Sequence, residues 1–442
     1  MTDVNNGNNE NTGNDGLIGK NGSGDSLETG TEKTAQPQGR TPEQAAAAPR
    51  QLQTPEEAAQ ALKDRHFDTK LIHFGAEIDP ATGASSVPIY QASTFHHFDI
   101  YNPPQYDYSR SGSPTRQALE DYISLLEGGA GGYAFASGMA AISAALMIFS
   151  AGDHLIVTED VYGGTYRLLT TILSRMNIET TFVDMTELDQ VKAALRPNTK
   201  GVYMETPSNP TLKITDVGAV ANWAKEHDLL TLVDNTFMTP YYQRPIEQGV
   251  DIVLHSATKF LGGHSDVLAG LAVARTPELA AQLKKLQNGL GTVLGPQDCW
   301  LLIRGIKTLG ARMERSEIGA RRLAHWLSER KDVEAVYYPG LPEHPGRGIH
   351  ERQSTGYGAV VSFDVGSEER AKRLLNRVKL PLVAVSLGAV ESILSYPPMM
   401  SHAAMPREVR LERGIADGLL RFSVGLENVD DLIADLEQAL AD

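Results

Sequence analysis

Cysteine is almost missing from this sequence: the 442 residues contain one, Cys299. A single thiol closes no internal disulfide and builds no cysteine-rich zinc site, and the reducing cytoplasm is the compartment that such usage fits. Positive charge is also short. Lys and Arg number 40 against 55 Asp and Glu, a formal net charge of −15. That balance argues against a nucleic-acid partner and obliges any anionic ligand to find a local cluster of donors. Long apolar runs are absent too. The longest, Ala140–Phe149, broken only by Ser143, is well short of the roughly 20 residues that a membrane span needs. The opening "MTDVNNGNNENTGNDG" has no apolar stretch of a secretory signal and is acidic for a transit peptide.

What is present divides into four parts. Residues 1–65 are rich in Asn, Gly, Thr, Gln, Glu and Ala, too poor in large apolar side chains to offset ordering entropy. They read as a disordered low-complexity tail, with helix-forming residues in "TPEEAAQALKDRHF". Residues 66–114 are aromatic and turn-rich with little periodicity, which suggests an extended arm. His96 and His97 within it are adjacent, so in a strand they face opposite ways and share no ion. From 115 to 312 apolar runs alternate with helical segments. Leu119, Tyr122, Ile123 and Leu126 fall at helical spacing, and Gly128 suits the cap at the end of that helix. The runs are 132–136, 154–158, 180–184, 201–205, 229–234, 251–255 and 270–275. This pattern predicts an α/β fold with a mostly parallel seven-stranded sheet covered on both faces. Residues 313–442 read as a smaller α+β domain, with a helix near 313–330 and strands near 357–365 and 419–426. Its last helix carries Val429, Leu432, Ile433, Leu436 and Leu440 on one stripe.

Ligands of open α/β sheets bind beyond the carboxyl ends of the strands, so the residues after each run carry the most information. They are Ser137-Gly138-Met139 opening an apolar helix, Tyr162 before two glycines, Asn209, Asp234 with Thr236, and Ser256, Thr258 and Lys259. Singly, each is as well explained as a cap, a turn residue or a solvated surface group. Together they offer a helix N-terminus for an anion, two hydroxyls, a carboxylate, an aromatic ring and an amine. Pyridoxal 5′-phosphate needs that set: donors for its phosphate, a ring to stack on, a carboxylate for its pyridine nitrogen and a lysine for its aldehyde.

The motifs "YDYSRSGSPT", "ASGMAA", "DVYGGTYR", "ETPSNP", "DNTF", "HSATKFLGGHSD" and "SLGAVES" occur in an order that resembles the Cys/Met-metabolism family of pyridoxal-phosphate enzymes, the cystathionine lyases and synthases and methionine γ-lyase. The likeness runs from about residue 68 to 440. It implies the type I, aspartate-aminotransferase-like fold of pyridoxal-phosphate enzymes. It further implies that Lys259 holds the cofactor as a Schiff base and acts as base, and that Tyr162 is the stacking ring and its catalytic companion. Asp234 would pair with the ring nitrogen, with Thr236 beside it. Gly138, Met139, Ser256 and Thr258 would hold the phosphate, joined by Tyr108 and Arg110 from a neighbouring subunit. Asn209, Ser386 and Arg421 would bind the carboxylate of a small amino-acid substrate. The resemblance thus implies a homo-oligomer, at least a dimer and in this family usually a tetramer.

Within the family the likeness is to the bacterial β-lyase branch, "SYPPMMSHAAMP" included. It implies cleavage of L-cystathionine by β-elimination to homocysteine, pyruvate and ammonia. Gly164 stands where related methionine γ-lyases carry cysteine, and Val385 where γ-acting cystathionine enzymes commonly carry glutamate. γ-Elimination or γ-replacement on the same scaffold is the alternative, and a non-catalytic binding protein is the alternative of another class. A nicotinamide-binding reading of "GGAGG" (128–132) fails on position, because that cluster precedes a strand whereas a dinucleotide fingerprint follows one. His264 and Asp266 read either as loop-orienting groups or as ordinary turn residues.

Overall fold

The computed structural model describes residues 55–62, 64–403 and 405–441; residues 1–54 of the expected tail lie outside them. Seven short apolar runs become the strands β1 (Gly131–Phe135), β2 (His154–Thr158), β3 (Glu179–Val183), β4 (Thr199–Glu205), β5 (Leu230–Asp234), β6 (Ile252–His255) and β7 (Gly270–Ala274). They form one sheet in the order β1-β7-β6-β5-β4-β2-β3. β7 runs antiparallel to both of its neighbours, and the other strands are mutually parallel. Every residue of β2, β6 and β7 is buried, as expected of strands covered on both faces.

Alternate residues feed two cores. Ile156, Val202, Val233, Val253 and Val273 pack on one face. Leu155, Val157, Tyr203, Leu232, Leu254 and Ala272 pack on the other. The first helices of the described chain are α1 (Pro55–Leu62), α2 (Phe67–Ile72), α3 (Pro114–Glu127), α4 (Gly138–Leu146) and α5 (Gly163–Arg167). α1 falls in the stretch expected to be partly helical, and α2 supplies a turn of helix in the segment expected to be extended. α3 lays Leu119, Tyr122, Ile123 and Leu126 on the first core. It stops at Gly128, whose φ of 74° is the left-handed cap that favours glycine. Gly129 and Gly132 of the "GGAGG" cluster serve packing: a Cβ on Gly132 would lie 2.5 Å from the Glu120 carbonyl oxygen. α4 is apolar nearly all round and starts at Ser137, whose hydroxyl accepts from the Ala140 N–H at 3.1 Å.

A helix from Leu309 to Ser328 leads into a second sheet. Its strands are β8 (Ala335–Tyr337), β9 (Val360–Asp364), β10 (Leu382–Val383), β11 (Ile393–Ser395) and β12 (Leu419–Ser423), in the order β10-β11-β12-β9-β8. The final helix, Val429–Leu440, is capped by Asn428. It buries Leu432, Leu436 and Leu440 against Phe363, Leu420 and Phe422, where truncating a phenylalanine to alanine costs about 3–5 kcal/mol. Among the described residues no helix is long and apolar enough to cross a membrane, and no group of three or more His, Cys, Asp or Glu is placed to hold a metal ion.

Candidate active site

The parallel strands β1, β2, β4, β5 and β6 end at one edge of the large sheet, and the residues after them meet around a cavity of about 500 Å³. Gly138 and Met139 come from the first turn of α4, Tyr162 from the end of the β2 loop, Asn209 from beyond β4, Asp234 from the end of β5 and Thr236 from just beyond it, and Ser256, Thr258 and Lys259 from beyond β6. Ser386 and Arg421 enter from the second sheet.

Lys259 sits in the connection from β6 to β7. Thr258 pins that connection: its hydroxyl donates to the Ala269 carbonyl at 3.1 Å and accepts from the Ala269 N–H at 3.0 Å. Beyond the lysine the chain turns sharply at Gly263, whose φ is +72°. A side chain there would strike the buried Arg312 guanidinium, which donates to the Phe260 carbonyl at 2.6 Å. His264 makes an ordinary turn contact, Nδ1 to the Gly262 carbonyl at 2.8 Å. The Lys259 Nζ lies 2.8 Å from Ser386 Oγ, a neutral partner. Burial, with help from the Arg421 charge, lowers the amine to about 8.

Arg421, on β12, is 3% exposed. Its terminal nitrogens donate to Asn209 Oδ1 and to the Ser386 carbonyl, both at 2.8 Å. Both acceptors are neutral, and Nε has no partner among the described residues. Burial brings the guanidinium down to about 10. A buried cation with a spare N–H at a cavity wall is a receptor for an anion. Ser386 has a φ of 120°, a strained position for a residue with a side chain. It is held there by Arg421 on its carbonyl and by the neighbouring Gly388 N–H, which donates to Ser423 Oγ at 2.7 Å.

Asp234 is buried, and burial raises its carboxyl. Oδ1 accepts from Thr236 twice, from the N–H at 3.0 Å and from the hydroxyl at 2.5 Å. Thr236 in turn accepts from the Ser256 N–H at 2.8 Å, which ties the ends of β5 and β6 together. Gly138 is pressed against Ser256, where a Cβ would come within 2.8 Å of the serine Cβ. Gly138 and Met139 line the cavity, and their N–H groups, in the first turn, have no acceptor within their own helix.

Two expected residues are elsewhere on this protomer. Tyr108 is exposed and bridges Thr94. Arg110 donates to Asn288 at its carbonyl and Oδ1, both at 2.9 Å. Neither lines the cavity. Conversely, sequence reasoning misses Glu205, the last residue of β4, which is buried, lines the cavity and accepts the Tyr162 N–H at 2.9 Å. Arg167 at the end of α5 and Ser401 also line it. Proximity to Tyr162 in "DVYGGTYR" is the available signal for Arg167, and the place of Ser401 within "SYPPMMSHAAMP" is the one for Ser401.

This chemistry fits pyridoxal phosphate. N–H groups and hydroxyls at a helix N-terminus suit its phosphate, a buried carboxyl suits its ring nitrogen, and a lowered amine suits its aldehyde. Comparison with known proteins agrees. The sequence profile of the family described as Cys/Met metabolism PLP-dependent enzyme matches residues 68–441. Cystathionine beta-lyase MetC of Bacillus subtilis is 60% identical over 374 residues, covering 85% of this chain and 96% of that protein. Cystathionine gamma-lyase of the same organism is 54% identical over 372 residues, covering 84% and 98%. The crystal structure of cystathionine gamma-lyase from Lactobacillus plantarum complexed with L-serine superposes with a TM-score of 0.83 at 48% identity, over 85% of this chain and 98% of that one. With its profile match, its fold and its cavity all in agreement, this chain belongs to the Cys/Met metabolism family of PLP-dependent enzymes.

Proposed function

We propose that the chain is a carbon–sulfur lyase that cleaves L-cystathionine by β-elimination to homocysteine, pyruvate and ammonia. The observation that carries this reading is the pairing of a half-buried, lowered lysine amine with a carboxylate receptor built on Arg421 in one cavity. The 60% identity to a cystathionine beta-lyase supports the substrate. Cystathionine has a charged amino-acid group at each end. Arg421 takes the carboxylate next to the reacting carbon, and the Arg167 guanidinium at the cavity wall suits the distant one.

In this reading Gly138, Met139, Ser256 and Thr258 hold the phosphate, Tyr162 stacks on the ring and Asp234, oriented by Thr236, faces its nitrogen. Bound there, pyridoxal phosphate supplies the electron sink for charge left on the substrate Cα. Lys259 Nζ takes the proton from Cα. Its value near 8 leaves a usable fraction of free amine at neutral pH while keeping it basic enough to work. Ser386 Oγ, 2.8 Å from Nζ, orients the amine. Arg421, fixed by Asn209, holds the carboxylate so that the Cα–H faces the base.

Val385 favours β- over γ-cleavage of cystathionine, and Gly164 speaks against methionine γ-lyase activity. Val385 presents an apolar side chain to the cavity, in the place where γ-acting relatives commonly have a glutamate. Gly164 stands where related methionine γ-lyases carry cysteine, and a Cβ there would lie 2.5 Å from the Tyr162 ring and 2.8 Å from Met139 Sδ, so these two side chains sit where a cysteine would need them to move. Tyr108 and Arg110, exposed on their own protomer, reach the phosphate of a neighbouring subunit in a dimer that pairs into a tetramer. The protein works in the cytoplasm, where its lone buried thiol stays reduced. The test supplies L-cystathionine and identifies the products. Pyruvate with homocysteine is expected; 2-oxobutyrate with cysteine overturns the β assignment.

A further inference from the structure

Glu205 has no part in the chemistry above, yet it is among the most buried acids in the protein. It ends β4 directly opposite Asp234 in the β4–β5 register. Paired strands lie about 4.8 Å apart, and both side chains line the same cavity while only 5% and 7% exposed. Two buried carboxyls at facing positions of neighbouring strands do not readily both ionise; the pair keeps a proton.

The surroundings decide which carboxyl keeps it. Asp234 receives two hydrogen bonds from Thr236, at 3.0 and 2.5 Å, and the imidazole of His255 on β6 acts on it favourably. Glu205 receives one, from the Tyr162 N–H at 2.9 Å. Asp160, beyond β2, adds a further negative charge beside Glu205, and Arg421 on β12 only partly offsets it. Tyr203, on Glu205's own strand, is a neutral buried phenol, and Lys259 lies across the cavity. Burial pushes both acids up, Glu205 well above the usual carboxylate range.

We propose that Glu205 is a positioning residue: it holds the one proton of the Glu205–Asp234 pair, keeping Asp234 anionic for the cofactor's ring nitrogen while anchoring the backbone of Tyr162. This rests on the role given to Asp234 above, but not on which carbon–sulfur bond breaks.

The test is infrared difference spectroscopy of the holoenzyme, wild type minus Glu205→Gln, near neutral pH. Other buried acids such as Glu120 and Asp160 cancel in the difference. The expected result is loss of the carbonyl stretch of a protonated carboxyl group. Loss of an ionised carboxylate band instead overturns the proposal. Cofactor affinity gives a second readout, because Gln is neutral and keeps an oxygen for the Tyr162 N–H. Glu205→Ala weakens cofactor binding by about 10-fold, the scale of one lost buried hydrogen bond, and Gln restores most of it. A Gln variant no better than Ala contradicts the role. Products of L-cystathionine turnover, measured in parallel, report separately on the proposed reaction.

Discussion

Arg421→Lys perturbs the proposed substrate receptor with the least change in charge. Arg421 spans two fixed acceptors, Asn209 Oδ1 and the Ser386 carbonyl, each at 2.8 Å, and still has Nε to spare. A lysine ammonium is a point charge on a flexible stem and cannot present two parallel N–H groups to a carboxylate. One charge-assisted hydrogen bond to the substrate is lost, worth about 1.5–3 kcal/mol. Either Asn209 or the Ser386 carbonyl also loses its donor inside a buried wall, at a cost of about 1–3 kcal/mol. The substrate share alone lowers kcat/KM by about 10- to 150-fold, at about 1.4 kcal/mol per tenfold. The assay is steady-state pyruvate release from L-cystathionine, with visible absorbance showing that the cofactor is still bound. A fully loaded variant whose kcat/KM stays within about 3-fold of wild type refutes the bidentate receptor, since that corresponds to less than about 0.7 kcal/mol.

Lys259→Met tests the half-buried amine through stability. The folded amine is lowered to about 8 from 10.5, so between those values the unfolded chain holds a proton that the folded one does not. The wild-type cofactor-free protein therefore gains stability from this group as pH rises through that window, and bears the full cost below it. Lys259→Met should be the more stable apoprotein at pH 7 by about 3 kcal/mol, at about 1.4 kcal/mol for each pH unit that separates the folded and unfolded amines. Denaturant titrations should show that gap closing towards pH 10; a gap independent of pH contradicts the assignment. Gly164→Ala drives a methyl into the Tyr162 ring and Met139 Sδ, and calorimetry should find cofactor affinity down by about tenfold or more, as for an overpacked site costing about 1–3 kcal/mol; unchanged affinity means that the ring has no fixed place. Arg110→Ala and Lys259→Ala proteins, each inactive alone, should recover activity when their subunits are exchanged, because a mixed dimer contains one intact shared site. No recovery, in mixtures shown to exchange subunits, contradicts a phosphate contact across the interface.

The large sheet is legible in the sequence because its strands are continuous apolar runs of β-branched and large residues, such as "HLIVT" and "DIVLH", set between helical segments. The reversal of β7 is less plain. A strand buried on both faces reads alike in either direction, and the clue is the lack of a crossover helix between His255 and Gly270. β8, β10 and β11 are too short to show any period. The candidate site is legible by the strand-end rule, which singles out Asp234 and Lys259 without any family likeness. Ser386 and Arg421 come only from the family motifs, since residues from a second sheet obey no such rule. Glu205 is hidden by its place as the last residue of a strand; its meaning depends on β4 lying beside β5 in a register that aligns it with Asp234. The "GGAGG" cluster shows the converse, a motif whose glycines serve a helix cap at Gly128 and close packing at Gly129, Gly131 and Gly132.

The central claim is that the cofactor is held through the nitrogen of Lys259. Borohydride reduction of the holoenzyme followed by peptide mass spectrometry tests it most directly. The account predicts the reduced cofactor's mass on the peptide containing Lys259; its appearance on another lysine, or on none, would contradict it.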